Sequence, residues 1–445
     1  MRHRPAEKAA GLLLALLFLC VSAFSFPFAG AESRPGVPKL ATGTVVNARI
    51  KSLAAGTETE AWTTTGDVRA IRMADALPEG FVPSEANTVS APDAGCPVYI
   101  FFDNEGDAGI LYFYTEGGRI VLNPDSYILF AGHEALTDIS GVAGWDTSGV
   151  RDMYAMFAGD RSLPDALALR EWDTSAVTDM SLMFSGDTSL EVIDVSNWNT
   201  GSVVSMAGMF QVGQNWEGNG RLREITGLGS LDVSNVADMT SMFYGAGQMT
   251  GYDIADWDVS KVVSMNHMFC DNFKLLSLDL SRWDVSSVKT MYCMFNDCQA
   301  LTTIGDVSHW NTASLIDAGG WLSWAQSFVG DPSGILDLSG WDTSNLKAAG
   351  QMFLAVKARM IDLSGWTFDS ATNDSWDGAG SGIFYETGNG TEPYRGLGEM
   401  FKHTSRLAVV YLSQAGMDSF HAAEERGVST LDMWASSTAA GFLVK

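Results

Sequence analysis

Apolar and polar positions repeat along this chain with a period of about 26 residues. Tryptophans mark the repeat at intervals of 27, 26, 59, 26, 27, 31 and 25 residues: Trp145, Trp172, Trp198, Trp257, Trp283, Trp310, Trp341 and Trp366. The interval of 59 hides one unit in which Leu231 replaces tryptophan, because residues 231–236 (LDVSNV) match residues 257–262 (WDVSKV). A period of this length is typical of stacked structural units rather than of separate globular domains.

Each unit contains three segments with different patterns. The run Val-x-x-Met-x-x-Met-Phe, as in residues 262–269, predicts four apolar side chains on one face of a short helix or helical turn. The Asp-x-Ser before it predicts an Asx turn or helix N-cap, because its oxygens accept backbone N–H groups. Residues 275–280 fit the strand pattern L-x-x-L-x-L, and Trp283 then occupies the place of the consensus asparagine of leucine-rich repeats.

One such unit has no partner for its apolar face, so stacking must bury it. The sequence therefore predicts an α/β repeat solenoid of leucine-rich-repeat-like coils, each with a short parallel strand and a helical turn. We expect about nine coils over residues 131–413, with a degenerate repeat or cap at 414–445. The recurring methionines are interpreted as core packing by an adaptable side chain rather than as a path for soft metals.

Residues 32–130 precede the array and lack its pattern. A short helix is expected around Asp67–Ala76, and a β-meander at Val98–Phe102, Ile110–Tyr114 and Arg119–Leu122, with Asp-Asn-Glu-Gly and Glu-Gly-Gly as turns. We interpret this β-containing region as an N-terminal cap, since an open first coil exposes an aggregation-prone edge. An independent adhesive domain is the alternative.

Residues 1–31 have the pattern of a secretory signal peptide. Arg2, Arg4 and Lys8 form a basic start, an apolar run follows from Gly11 to Phe24, and Ala-Gly-Ala at 29–31 fits a cleavage site. The run is short for a membrane span, although an uncleaved anchor is the alternative reading. No later segment has the length of a membrane span. The expected location is therefore secreted or at the cell surface.

Composition narrows the classes of partner. The chain has 27 Lys+Arg against 53 Asp+Glu, a net charge of −26, so nucleic acid and anionic lipid are excluded as expected partners. Six histidines leave little material for a metalloenzyme. No pair of carboxylates stands out among dozens, so we expect no catalytic residues, and a carbohydrate-active enzyme is the least supported class. No cofactor is expected.

A recurring acid in the strand segments is the candidate binding feature. Alternation puts the neighbouring leucines inward and these carboxylates outward: Asp194, Asp253, Asp279, Asp306, Asp337 and Asp362. Stacked carboxylates repel, so water, hydroxyl donors, a cation or a basic partner must offset the charge. Three readings follow: a solvated row paired with hydroxyls, an acidic face for Lys/Arg-rich proteins, or a calcium site.

A second acidic row begins the turns, where it alternates with asparagine: Asp146, Asp173, Asp232, Asp258, Asp284, Asp342, with Asn199 and Asn311. Asparagine keeps the hydrogen-bond acceptor and loses the charge. The row is therefore interpreted as structural rather than as catalytic or metal-binding.

Four cysteines lie beyond the signal segment: Cys96, Cys270, Cys293 and Cys298. Export permits disulfides, and Cys270 with Cys293 or Cys298 is one possible pair. A zinc cluster with His267 lacks any C-x-x-C pair. Buried thiols are the favoured state, and no metal site is expected.

The unit at residues 172–196 reads W-D-T-S-x-V-x-x-M-x-x-M-F followed by L-x-x-I-D-V-S. It resembles the BspA-like leucine-rich repeat proteins, bacterial surface proteins with 26-residue repeats, and the resemblance covers about residues 145–413. It implies an exported protein without catalysis that binds a protein ligand, such as host extracellular matrix or another microbial surface protein. The alternative is a structural cell-envelope protein that self-associates.

Overall fold

The computed structural model describes residues 36–102, 109–213, 220–372 and 397–445, except 405, 406, 408, 431, 432, 435, 436 and 438–440. The signal peptide expected at 1–31 lies outside these residues. From Val37 onward the described chain forms one compact unit.

Successive units pair in parallel through one residue of each coil. These residues define the bridge ladder: Asp125, Asp152, Asp179, Ser205, Asp238, Ser264, Thr290, Asp317 and Ala348. Alternate amides beside the ladder donate to the next coil, as from Met153 N to Asp179 O (3.0 Å) and from Ala155 N to Ser181 O (2.8 Å). The described chain is thus a repeat fold in which each coil satisfies the backbone of its neighbour.

A second parallel ladder contains the predicted strands. Val192–Asp194 (β4) pairs with Glu224–Thr226 (β5), and Ser277 bridges Thr303. A four-stranded parallel sheet follows, in the order Ile335–Asp337 (β6), Met360–Asp362 (β7), Val409–Leu412 (β8) and Phe442–Val444 (β9). The prediction of short parallel strands agrees with this arrangement.

The expected helical turn at Met-x-x-Met-Phe is wrong, because this segment forms consecutive β-turns. Met156 N bonds Met153 O (3.2 Å) with Ala155 at φ 50°, and Asp160 N bonds Phe157 O (3.2 Å) with Gly159 at φ 81°. The left-handed residue of the first turn recurs in later coils: Leu182, Gly208, Ser241, His267, Cys293, Gly320 and Gln351. An amide that donates to the next coil cannot also donate to the carbonyl four residues earlier, as an α-helix requires. Short 3-10 helices occur elsewhere, at Ser140–Val142, Leu167–Leu169 and Leu228–Ser230.

The tryptophans, methionines and phenylalanines of the repeat are buried, as predicted. Stacked rings with centroids 5.4–6.1 Å apart run through the interior: Phe130, Phe157, Phe184, Phe210, Phe243, Phe269 and Phe295. Seven of the eight repeat indoles donate to a carbonyl about one coil earlier, as from Trp283 Nε1 to Ile254 O (3.0 Å), whereas Trp145 Nε1 donates to Met73 Sδ (3.3 Å). The tryptophan thus stabilises the contact between neighbouring coils through a hydrogen bond and through burial of its apolar ring surface.

Before the array, two of the three strands predicted for the meander are present, at Tyr99–Phe102 and Ile110–Tyr114, and they pair antiparallel as expected. Helix α1 (Gly43–Ala55) precedes a mixed sheet in the order β1 (Ala70–Met73), β3 (Ile110–Tyr114), β2 (Tyr99–Phe102). The expected helix at Asp67–Ala76 is wrong, because β1 pairs in parallel with β3 about forty residues later. The expected strand at Arg119–Leu122 is also wrong: Val121 bridges Lys39 and Asp146 and so joins this region to the first coil.

The chain after β8 crosses back through helix α2 (Gln414–Glu425) to β9, which lies parallel to β8. Ser413 caps this helix, since its Oγ accepts the Gly416 amide at 3.1 Å. The helix packs on the last coils through Phe420, whose ring lies 5.6 Å from that of Phe368. Residues 414–445 therefore continue the strand ladder with an α-helical connection.

One buried position of the coil holds polar residues. Asn272 Nδ2 donates to Phe243 O (2.8 Å) and Cys298 Sγ to Phe269 O (3.0 Å). Asp187 occupies the equivalent position, where its Oδ1 accepts the Asp160 amide at 2.8 Å and its Oδ2 has no hydrogen-bond partner among the described residues. Burial raises the pKa of Asp187 well above 3.8. A carboxyl here is therefore favoured in its neutral form.

We predict that Asp187→Asn stabilises the protein, because an amide repeats the Asn272 bond and carries no buried charge. The gain at pH 7 should be about 1–3 kcal/mol, the range for an unsatisfied buried group. Because the folded-state pKa is raised, Asp187 favours folding below pH 3.8, and this contribution is lost as pH rises through the folded-state pKa. Urea unfolding between pH 4 and pH 8, as an order-of-magnitude range, measures the difference.

Asp173→Asn is the matched control for this substitution. Asp173 is exposed, and hydrogen bonds from Ser175 lower its pKa, so its contribution to stability is lost as pH falls. The two variants should therefore diverge in opposite directions with pH. A wild-type pH profile in Asp187→Asn contradicts the assignment of a buried carboxyl.

Truncation of the ring stack should be costly. Phe184 lies 5.9 Å from Phe157 and 6.1 Å from Phe210, and it is fully buried. Phe184→Ala should lower the free energy of unfolding by about 3–5 kcal/mol, since it leaves a cavity between three coils. Phe184→Leu, which keeps most of the volume, should cost under about 1.5 kcal/mol. Equal losses in the two variants would argue against a close-packed stack.

Candidate functional site

The six predicted carboxylates follow the strand ladder and are named here the strand-face row: Asp194, Asp253, Asp279, Asp306, Asp337 and Asp362. Asp253, Asp279, Asp306 and Asp337 are exposed, and Asp194 is half-buried. Asp362 lies in register with Asp337, but only 5% of it is exposed, because Lys445 covers it. The row is therefore an accessible surface over most of its length and closed at Asp362.

Most members of the row hold the next turn with one carboxylate oxygen. Ser281 donates to Asp279 Oδ1 from its backbone N (3.1 Å) and from its Oγ (2.6 Å). These bonds lower the pKa of Asp279 and keep it charged. Equivalent backbone bonds reach Oδ1 of four other members: Asp194, Asp306, Asp337 and Asp362. The predicted hydroxyl pairing engages Oδ1 of Asp279 and of Asp194, where Ser281 Oγ and Ser196 Oγ are the donors.

Two members of the row pair with cations of the same chain through Oδ2. Arg170 Nε lies 3.3 Å from Asp194, and Lys445 Nζ lies 2.5 Å from Asp362. Asp337 sits directly opposite Asp362 in the register of β6 and β7. Burial acts to raise the pKa of Asp362, but Lys445 and Ser364 lower it overall. The row thus accepts an ammonium group that reaches it from another part of the chain.

The second acidic row has the structural role predicted for it. Asp146 Oδ1 accepts the Ser148 amide at 3.1 Å, and Asn199 Oδ1 accepts the Gly201 amide at 3.2 Å. Where threonine follows the aspartate or asparagine, its hydroxyl bonds the next coil, as from Thr147 Oγ1 to Asp173 O (3.0 Å). Aspartate and asparagine serve equally here because the turn requires only an acceptor.

A third acidic row was missed by the sequence analysis. It lies on the bridge ladder at Asp125, Asp152, Asp179, Asp238 and Asp317. The recurring Val-x-Asp-Met at 150–153, 177–180 and 236–239 is the signal that marks it. Burial, then the charges of Asp179 and Asp125, raises the pKa of Asp152, so these carboxylates repel one another across adjacent coils.

The four cysteines are buried thiols, as favoured from the sequence. Burial raises the pKa of Cys270 and of Cys298 well above 9.0, which makes both thiols unreactive. Within the described residues no group of three His, Cys, Asp or Glu side chains is arranged to hold a metal ion. The zinc cluster with His267 and the calcium reading of the acidic row therefore have no assembled site in that part of the chain.

A protein-family model matches the repeat region of this chain. A family model described as "Mycoplasma protein of unknown function, DUF285" matches residues 127–226, 220–335 and 334–376, more than half of the chain. The chain belongs to this family. The matched residues lie where successive coils pair in parallel on the bridge ladder. No curated protein matches the chain.

Two solved structures show a remote likeness. One is a TLR13–ssRNA13 complex, at 14% identity and TM-score 0.23, with 66% of this chain and 38% of that chain covered. The other is an internalin (inlF) from Listeria monocytogenes str. 4b F2365, at 10% identity and TM-score 0.23, with 74% and 79% covered. The chain thus spans well under half of the TLR13 chain. At these TM-scores neither likeness carries an argument about this protein.

Among the described residues, no helix has both the length and the apolar character that a membrane span requires.

Substitutions at Asp279 can distinguish its hydrogen bond to the turn from its negative charge. Asp279→Asn keeps an oxygen acceptor for Ser281, so it should change the free energy of unfolding at pH 7 by less than about 0.5 kcal/mol. Asp279→Ala removes the acceptor and should cost about 1 kcal/mol. Chemical denaturation of both variants measures this. If both are equally destabilised, charge rather than the turn bond accounts for the contribution of Asp279.

Proposed function

We propose that this chain is a solenoid of the BspA-like type, secreted or displayed at the cell surface, that binds other proteins and catalyses no reaction. The single observation that carries the proposal is the contact between Lys445 and Asp362. It is an ion pair between a lysine and the strand-face row, made within the molecule itself.

The geometry of that contact supports a basic protein ligand. Lys445 Nζ lies 2.5 Å from Asp362 Oδ2 and 5.7 Å from the centroid of the Tyr411 ring. An ammonium group is therefore held by a carboxylate and an aromatic face at once. Asp279, Asp306 and Asp337 repeat the carboxylate at exposed positions. A partner with several lysines or arginines thus finds several acceptors in fixed register.

Rigidity and charge favour protein binding by this surface. Backbone ladders on two sides of each coil fix the row before a ligand arrives, which reduces the entropy lost on binding. A net charge of −26 also accelerates encounter with basic surfaces and makes it dependent on salt. The expected partners are extracellular matrix proteins of a host or surface proteins of other microbes.

The test compares two charge-matched triple variants purified after expression of the full chain. Asp279→Asn/Asp306→Asn/Asp337→Asn removes three charges of the strand-face row. Asp146→Asn/Asp173→Asn/Asp258→Asn removes three from the structural turn row. Binding to a panel of immobilised purified extracellular matrix proteins is measured at about 50 mM and 300 mM salt, where screening differs strongly.

We expect at least one matrix protein to bind, with Kd raised at least tenfold by the first triple variant and by high salt. The second triple variant should bind as the wild type does. Equal binding by both triples would refute the strand-face mechanism. Absence of any ligand together with self-association in sedimentation would instead favour the structural cell-envelope alternative.

A further inference from the structure

Three aromatic rings meet at the surface near the start of the array. Trp62 and Tyr127 contact edge to face, with centroids 5.5 Å apart, and Tyr127 stacks on Tyr154 at 5.0 Å. Trp62 is 59% exposed, and both tyrosines are half-buried. These three residues are named the aromatic patch. An indole left this exposed offers a large apolar face for contact with a partner.

The patch is built on rigid backbone. Tyr127 and Tyr154 lie two residues after the ladder aspartates Asp125 and Asp152, and Ile128 N bonds Tyr154 O at 2.9 Å. Beneath them Ile128 and Ala155 are buried in a small cluster that the tyrosines cover. The rings are therefore held in position before any ligand binds.

Within the described residues, the carboxylates beside the patch form no ion pair. Asp125 lies beside Tyr127, whose amide donates to Asp125 Oδ1 at 3.3 Å, and Asp152 and Asp179 follow Asp125 on the bridge ladder in adjacent coils. Tyr154 and Ser181 amides bond Oδ1 of Asp152 and Asp179 at 2.8 Å, which engages one oxygen of each. None of the ion pairs in the described part of the chain includes these three carboxylates, whereas Asp194 and Asp362 each have one.

Negative charge therefore accumulates next to exposed aromatic faces. Burial, then Tyr154, Asp152 and Asp125, raises the pKa of Tyr127 to about 12. The adjacent Arg151 is exposed and forms no ion pair with the three carboxylates in the described structure. A cation that pairs with these three carboxylates must therefore come from outside the described residues.

We propose that the aromatic patch and Asp125, Asp152 and Asp179 together bind an arginine-bearing segment of a partner protein. A guanidinium group is planar, stacks on aromatic faces and donates paired hydrogen bonds to a carboxylate. It fits both halves of the surface, whereas a neutral sugar stacks on the rings and leaves the charge unmatched. The inference rests on the proposed protein-binding function and assigns it a second surface, separate from the strand-face row.

The experiment uses the full chain and two fluorescein-labelled peptides with blocked termini. One alternates glycine and arginine, and the other has citrulline, a neutral isostere, at each arginine. Fluorescence anisotropy should give a Kd for the citrulline peptide at least about tenfold above that for the arginine peptide. Asp125→Asn/Asp152→Asn/Asp179→Asn, which keeps the turn acceptors, should weaken the arginine peptide at least tenfold.

Trp62→Ala should weaken the arginine peptide about three- to fivefold, the loss expected for one exposed cation–π contact. Trp324→Ala is the matched control, since Trp324 is 41% exposed elsewhere on the chain. It should leave the Kd unchanged, as should the strand-face triple variant. Thermal unfolding of each variant checks that the fold is retained, so that a lost contact is separated from a lost structure.

Several outcomes overturn the inference. They are equal affinity for the citrulline peptide, equal effects of the two tryptophan variants, loss of binding only in the strand-face triple, and displacement of the peptide by a neutral oligosaccharide. The two proposals can fail separately. Peptide binding at the patch without any matrix ligand supports this inference and contradicts the strand-face mechanism. Matrix binding that is unchanged in the patch variants supports the strand-face mechanism and contradicts this inference.

Discussion

Parallel contact between successive coils is the constraint on which this structure depends. A single coil has an unpaired backbone on two sides and an apolar face that it cannot bury alone. The next coil supplies all three partners: the bridge ladder, the strand ladder, and the stacked interior that includes Phe157 and Phe184. The tryptophan links both needs, because Trp283 is buried and also donates to Ile254. Every surface feature of the array inherits its spacing from this contact.

Aspartates serve two purposes in such a fold, and the two carboxylate oxygens divide them. At Asp279, Asp146 and Asp152 one oxygen accepts the amide two residues later and shapes a turn. The turn is satisfied equally by asparagine, as Asn199 demonstrates. The turn therefore does not require the negative charge at these positions, and repetition of the coil aligns these charges in rows. Members of a row that pair with no cation in the described part of the chain can accept the basic groups of a partner.

The same position of the coil tolerates different chemistry when it is buried. Asn272 and Cys298 reach a carbonyl of the preceding coil, whereas Asp187 accepts the Asp160 amide and its second oxygen has no partner among the described residues. Desolvation then raises the pKa of the carboxyl. Lys445 represents the opposite case at the surface, where a lysine covers Asp362 and its carboxylate remains charged. Local exposure thus decides whether an aspartate contributes charge to the surface or destabilises the interior.

The amino-acid sequence predicts the period, the buried tryptophans, methionines and phenylalanines, the strand segments, and the turn role of Asp146 and Asn199. These follow from short-range patterns, because alternation and side-chain acceptors act within a few residues. Tertiary structure decided the rest. The Met-x-x-Met-Phe spacing suits a helix as well as consecutive β-turns, and only hydrogen bonds to the next coil selected the turns. Ala70–Met73 became a strand through Ile110–Phe113, Asp362 was buried by Lys445, and Trp62 met Tyr127 and Tyr154. Each of these contacts joins residues far apart in sequence, where a local pattern carries no information about which partner is near.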